Sequence, residues 1–84
     1  MNKLKYKIGD TVILINLYKD SAHRTSSYYK DIVGNKFKLN SIEYDPNLKG
    51  RYSVTLELLE NICNNAKGSI IYSRGAKIKF ADDN

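Results

Sequence analysis

The sequence predicts an all-β chain, a small closed or half-closed barrel of five to six short strands. Three observations carry that prediction. Lysine alternates with an apolar residue in three separate stretches, residues 3–8, 36–39 and 77–80. Successive side chains of a strand point to opposite faces, so each stretch puts its apolar residues into a core and its lysines on an outer face. Residues 11–15 and 51–58 are β-branched or strictly alternating runs, and clusters of Gly, Asn, Asp and Ser punctuate the chain between the runs.

Taken in order, Lys3, Leu4, Lys5, Tyr6, Lys7 and Ile8 read as a first strand, which Gly9 and Asp10 interrupt. Thr11, Val12, Ile13, Leu14 and Ile15 follow as a strand with both sides partly buried. From Asn16 to Val33 the chain is polar and reads as a long loop, with one helical turn before Gly34. Residues 36–44 form the next strand, but Phe37 and Leu39 are followed by Ile42 and Tyr44 one step late, so one extra residue near Asn40 and Ser41 makes a β-bulge. Residues 45–50 (Asp-Pro-Asn-Leu-Lys-Gly) have turn chemistry throughout and close a hairpin. Tyr52, Val54, Leu56 and Leu58 then alternate with polar residues as a half-buried strand.

Leu58, Leu59, Ile62, Cys63 and Ala66 fall at helical spacing before Gly68, which gives a short helix over residues 59–67. Asn61, Asn64 and Asn65 favour a loop there, and the pattern leaves the two open. Residues 69–72 read as a short strand, 73–76 as a tight turn around Gly75, and 77–80 as the last strand. Tyr6, Tyr44, Tyr52 and Tyr72 fall on the apolar phases and are expected in the core.

A chain of 84 residues is read as one domain, residues 1–84. A domain of this size buries only roughly two thirds of its unfolded surface, which leaves no room for a deep substrate cavity and puts function on the outside. With 42% hydrophobic and 27% charged residues the chain folds without a partner. A net charge of +5 biases encounters toward phosphate-rich or acidic surfaces. Eleven of the fourteen basic residues are lysine, which lacks the planar fork that arginine offers to guanine, so backbone contact is expected over base reading. The single Cys63 and the absence of an Asn-x-Ser/Thr sequon point to the cytosol. No apolar run is long enough to cross a bilayer, and the basic N-terminal stretch lacks the continuous apolar centre of a signal peptide.

Lys7-Ile8-Gly9-Asp10-Thr11-Val12, Val33-Gly34-Asn35-Lys36-Phe37 and Arg51-Tyr52-Ser53-Val54 occur in an order similar to that of small SH3-like barrels, including KOW-type domains. The turn at residues 73–76 resembles the single helical turn that such barrels place before their last strand. The resemblance covers residues 7–80 and implies an SH3-like barrel. It also implies binding: of RNA, DNA, proline-rich peptides or subunits of larger machines, and in some members inhibition by small phage proteins. Without tryptophan, and without an acidic cluster in the long loop, the chain departs from the peptide-binding members.

Chemistry-bearing clusters are sparse. His23 and Cys63 stand far apart, which argues against a metal site or a nucleophilic pair, and the five glycines are isolated turn residues, not a phosphate loop. No catalytic residue, metal or cofactor is expected, and no small-molecule substrate. Cys63, among apolar neighbours, reads as a small core side chain.

Lys36, Lys38, Lys77 and Lys79 are the candidate phosphate contacts, and Arg24, Tyr28, Tyr29 and Lys30, with Tyr18 and His23 nearby, are the candidate binding loop. Each has a plainer reading beside it: lysines on exposed strands prevent edge-to-edge aggregation, and loop tyrosines pin a loop to a barrel. The expectation is a non-enzymatic nucleic-acid-binding barrel. The alternative is a protein of a phage or mobile element that docks on a host protein and modulates or inhibits it, in line with the Asn-, Lys-, Ile- and Tyr-rich composition.

Overall fold

The computed structural model describes residues 5–18 and 29–81. Four antiparallel strands, β1 (Thr11–Leu17), β2 (Lys36–Tyr44), β3 (Tyr52–Leu58) and β4 (Ile70–Phe80), pair in the order β1-β2-β3-β4 and close into a ring through β4 and β1. One helical turn, α1 (Tyr29–Ile32), precedes β2. Against the expected five to six strands, the described residues form four, and two specific differences account for the change.

Residues 5–10 form no strand. Lys7 and Asp10 close a turn, in which the Asp10 N–H donates to the Lys7 carbonyl and the Lys7 N–H donates to Asp10 Oδ2. Gly9 has φ +101°, and Ile8 at the turn is 72% exposed, so the lysine alternation buries only Tyr6 among the described residues of this stretch. Lys3 and Leu4 lie outside the described residues.

The second difference is at residues 73–76, which make no turn: β4 runs through them without a break. Tyr52 faces Ala76 while Val54 faces Ser73, so β4 spends one extra residue there, a bulge at Arg74 and Gly75. The bulge reverses the inward phase. Counting back from Ile78 and Ala76 by twos would bring Tyr72 into the core; with the extra residue, Ser73 and Ile71 point inward and Tyr72 is 60% exposed. The expectation of a core Tyr72 is corrected accordingly.

Two further bulges bend the ring. β1 gains a residue against β4 between Leu14 and Asn16, which turns Leu17 inward. β2 gains one against β3 between Leu39 and Ser41, at the position the phase shift predicts. A bulge bends its strand and raises local twist, and closing a sheet with so few strands needs such bends.

The hairpin at residues 45–50 forms as expected. Asp45, buried beneath it, accepts from the Asn47 N–H through Oδ1 at 3.0 Å, and its Oδ2 lies 3.6 Å from Arg74 Nε. The ring encloses Val12, Leu14, Leu17, Phe37, Leu39, Val54, Leu56, Leu58, Ala76 and Ile78, all buried, and each large member contributes roughly 1.5–3 kcal/mol through burial. Tyr6 closes one end, its hydroxyl donating to the Ile78 carbonyl at 3.0 Å, with Phe80, Tyr52 and Tyr44 in a chain of ring contacts beside it.

No helix forms over residues 59–67. Ile62 and Asn65 exchange backbone hydrogen bonds across a tight turn, and Cys63 within it has φ +53°. Three asparagines in seven residues favour this loop over a helix. The turn leaves Cys63 exposed, so its expected core position is also corrected. Asn16 and Leu17 belong to β1 and not to the long loop, and residues 19–28 lie outside the described residues.

Candidate nucleic-acid interface

The strand register brings the four candidate lysines together. Val12 and Leu14 are fully buried, so Thr11 and Ile13 of β1 look outward. Thr11 pairs with Lys38 and Ile13 with Lys36 on one side. On the other, Ile13 pairs with Lys79 and Asn16 with Lys77. Lys36, Lys38, Lys77 and Lys79 are all exposed, while Phe37 and Ile78 between them are buried. Two lysine rows thus flank β1 on one outer face. Neighbouring strands lie about 4.8 Å apart, which sets the rows about 10 Å apart, and the lysines within a row repeat about every 6.8 Å.

Local sequence explains how each row is presented. Gly34, at φ +89°, ends α1, and its N–H donates to the Leu14 carbonyl at 2.7 Å, so β2 enters the ring already paired with β1. The Asn35 side chain donates to the Asp31 carbonyl and fixes the same corner. On the other flank the bulge at Gly75 swings the second half of β4 from β3 to β1. The Gly75 carbonyl accepts from the Tyr18 N–H at 3.0 Å and from Arg51 Nη1 at 2.8 Å.

Four further residues shape the face. Thr11 and Ile13 form its spine, and which side of the apolar run 11–15 faces outward is decided by the burial of Val12 and Leu14 in the ring. Lys5 places Nζ 5.9 Å from the Phe80 ring centroid, one residue beyond Lys79, and extends the positive end. Glu57 of β3 pairs with Lys38 and brings an acidic group against the β2 row. No local pattern marks Glu57, because its partner is nineteen positions away in sequence.

The loop candidates are placed only in part. Arg24 and Tyr28, with His23, lie outside the described residues. Tyr29 is half-buried against the core, and its hydroxyl accepts from the Leu17 N–H at 3.5 Å, which ties α1 to β1. Tyr18 is half-buried with the Arg51 guanidinium 5.8 Å from its ring centroid. Lys30 is exposed on α1.

Cys63 donates from Sγ to Asp31 Oδ2 at 3.0 Å, and this hydrogen bond holds its pKa above the ordinary thiol value. A raised pKa disfavours the thiolate, the reactive form. Among the described residues no group of three or more His, Cys, Asp or Glu could hold a metal ion. No helix among them is long and apolar enough to cross a membrane.

Fold and face together define a small, ring-closed antiparallel β fold with a lysine-lined outer face around β1. No family model, curated protein or solved structure matches the chain.

Proposed function

We propose that this protein is a non-enzymatic module that binds the phosphate backbone of nucleic acid through the β2–β1–β4 face. The observation that supports the reading most directly is the register that sets Lys36 and Lys38 on one side of β1 and Lys77 and Lys79 on the other. Lysines flanking an uncharged spine attract phosphates as point charges and read no bases. The antiparallel ring and the hairpin at residues 45–50 favour an SH3-like plan; β4, unbroken where that plan has a helical turn before its last strand, departs from it. The lone Cys63 and the polyanionic ligand suit a cytosolic protein without a cofactor.

The test is fluorescence anisotropy with labelled DNA and RNA at low and physiological salt. Binding should survive physiological salt. Substituting Lys36→Glu together with Lys38→Glu should weaken it on every sequence. Affinity unchanged in that variant overturns the assignment.

A second reading, a phage or mobile-element factor docking on a host protein, has its own support. Ile70 and Tyr72 are 51% and 60% exposed, and with Arg74 they alternate outward along β4. Tyr and Arg are enriched at interface hot spots. Retention of one protein partner from nuclease-treated bacterial lysate, lost on Tyr72→Ser, would favour this reading over the first.

A further inference from the structure

Binding of a phosphate backbone leaves open whether the ligand is single- or double-stranded, and the shape of the basic face decides between them. On the basis of the nucleic-acid reading, we infer that the face takes a duplex, with the β1 spine turned toward a groove and one lysine row on each of the two backbones.

Three observations carry this. The face is the outside of a closed ring and is therefore convex. Single-strand binders instead track one backbone along a concave, positively charged groove. The spine between the rows is Thr11 and Ile13, with no aromatic ring to stack a base. Among the described aromatics, Tyr29 is packed against the core, Tyr18 lies beneath Arg51 and Phe80 against Tyr6, and the well-exposed Tyr72 stands opposite Thr55 of β3, away from β1. Finally, there are two rows where one would serve a single strand. The strands that carry them lie about 10 Å apart, and on a convex face the flexible lysine arms spread outward from there, as contact with the two backbones bordering a B-form groove requires. A duplex also offers one charge per about 1.7 Å of axis, against about 3.4 Å for one strand.

The experiment compares a labelled duplex with its isolated single strand across a salt series, using the wild type and one double variant per row, Lys36→Gln with Lys38→Gln and Lys77→Gln with Lys79→Gln. Glutamine keeps each strand polar outside, and circular dichroism checks that both variants fold. The duplex should bind at least about tenfold more tightly than the single strand, with log affinity falling against log salt at a slope of about −3.6 for four neutralised phosphates. Each row variant should halve that slope to about −1.8. Equal or tighter binding of the single strand overturns the duplex inference and leaves the backbone reading standing. A slope abolished by one row variant and untouched by the other overturns the straddling geometry. Binding of neither form overturns the backbone reading itself.

Discussion

Of the five glycines, Gly75 is the one whose replacement the ring tolerates least. Its φ is +71°, and a Cβ there would sit 2.6 Å from Tyr18 Cβ and 3.1 Å from Leu48 Cδ1. Gly75→Ala combines a left-handed backbone cost of about 1–2 kcal/mol with overpacking of about 1–3 kcal/mol. Gly68→Ala, at φ +91° with open space around it, carries only the first cost. Urea unfolding should rank the two in that order, and equal losses would show that close packing is not what selects glycine at Gly75. Cys63 offers a second residue-scale expectation. Its folded pKa lies above its unfolded one, so the hydrogen bond to Asp31 supports the fold below the ordinary thiol range and is lost as pH rises through the raised value. Alkylation of native Cys63 at pH 8 should be slower than of the unfolded chain, and Asp31→Asn should speed it. No change on that substitution would remove Asp31 as the cause.

At the scale of elements, β2 and β4 show what a bulge does to legibility. The bulge at Asn40 can be read directly, because apolar residues stand on both sides of it and their phase visibly slips. The bulge at Gly75 is hidden, because a glycine between two short apolar runs has the same signature as a turn. That one ambiguity accounts for both the miscounted strands at this end of the chain and the misplaced Tyr72. The pairing of β2 with β3 also makes a functional prediction. Glu57 faces Lys38, and its Oε1 accepts from Asn40 Nδ2 at 3.4 Å. Glu57→Gln keeps an acceptor for Asn40 and removes the charge that competes with phosphate. Exposed charge pairs are worth about 0.2–1 kcal/mol, so duplex affinity at low salt should rise about 1.4- to fivefold. A fall in affinity would mean that Glu57 positions Lys38 instead of masking it.

The described residues are organised around one ring and one core. Tyr6, Ile32 and Ile62, from outside the strands, are buried in the same cluster as the strand residues. Unfolding should therefore be a single cooperative transition, with the urea curves from far-UV circular dichroism and from tyrosine fluorescence coinciding. The chain has seven tyrosines and no tryptophan, which makes tyrosine the natural probe. Separate midpoints would show that the ring and its caps melt independently. The same closure sorts the outer surface, with the lysines around β1 and the exposed Ile70 and Tyr72 on the part of β4 that pairs with β3.

The amino-acid sequence alone determined the mostly β character, the hairpin at residues 45–50, the bulge at Asn40, the helical turn before Gly34 and the outward placement of Lys36, Lys38, Lys77 and Lys79. Each of these comes from a local period or from turn chemistry, which acts over a few residues. Only the tertiary structure decided that residues 5–10 form no strand, that β4 runs unbroken and that the ring closes through β1 and β4. It also decided that β1 lies between the two lysine rows, and that Glu57 faces one of them. Those are matters of register between distant segments, and a single extra residue in a strand reverses which side chains face the core.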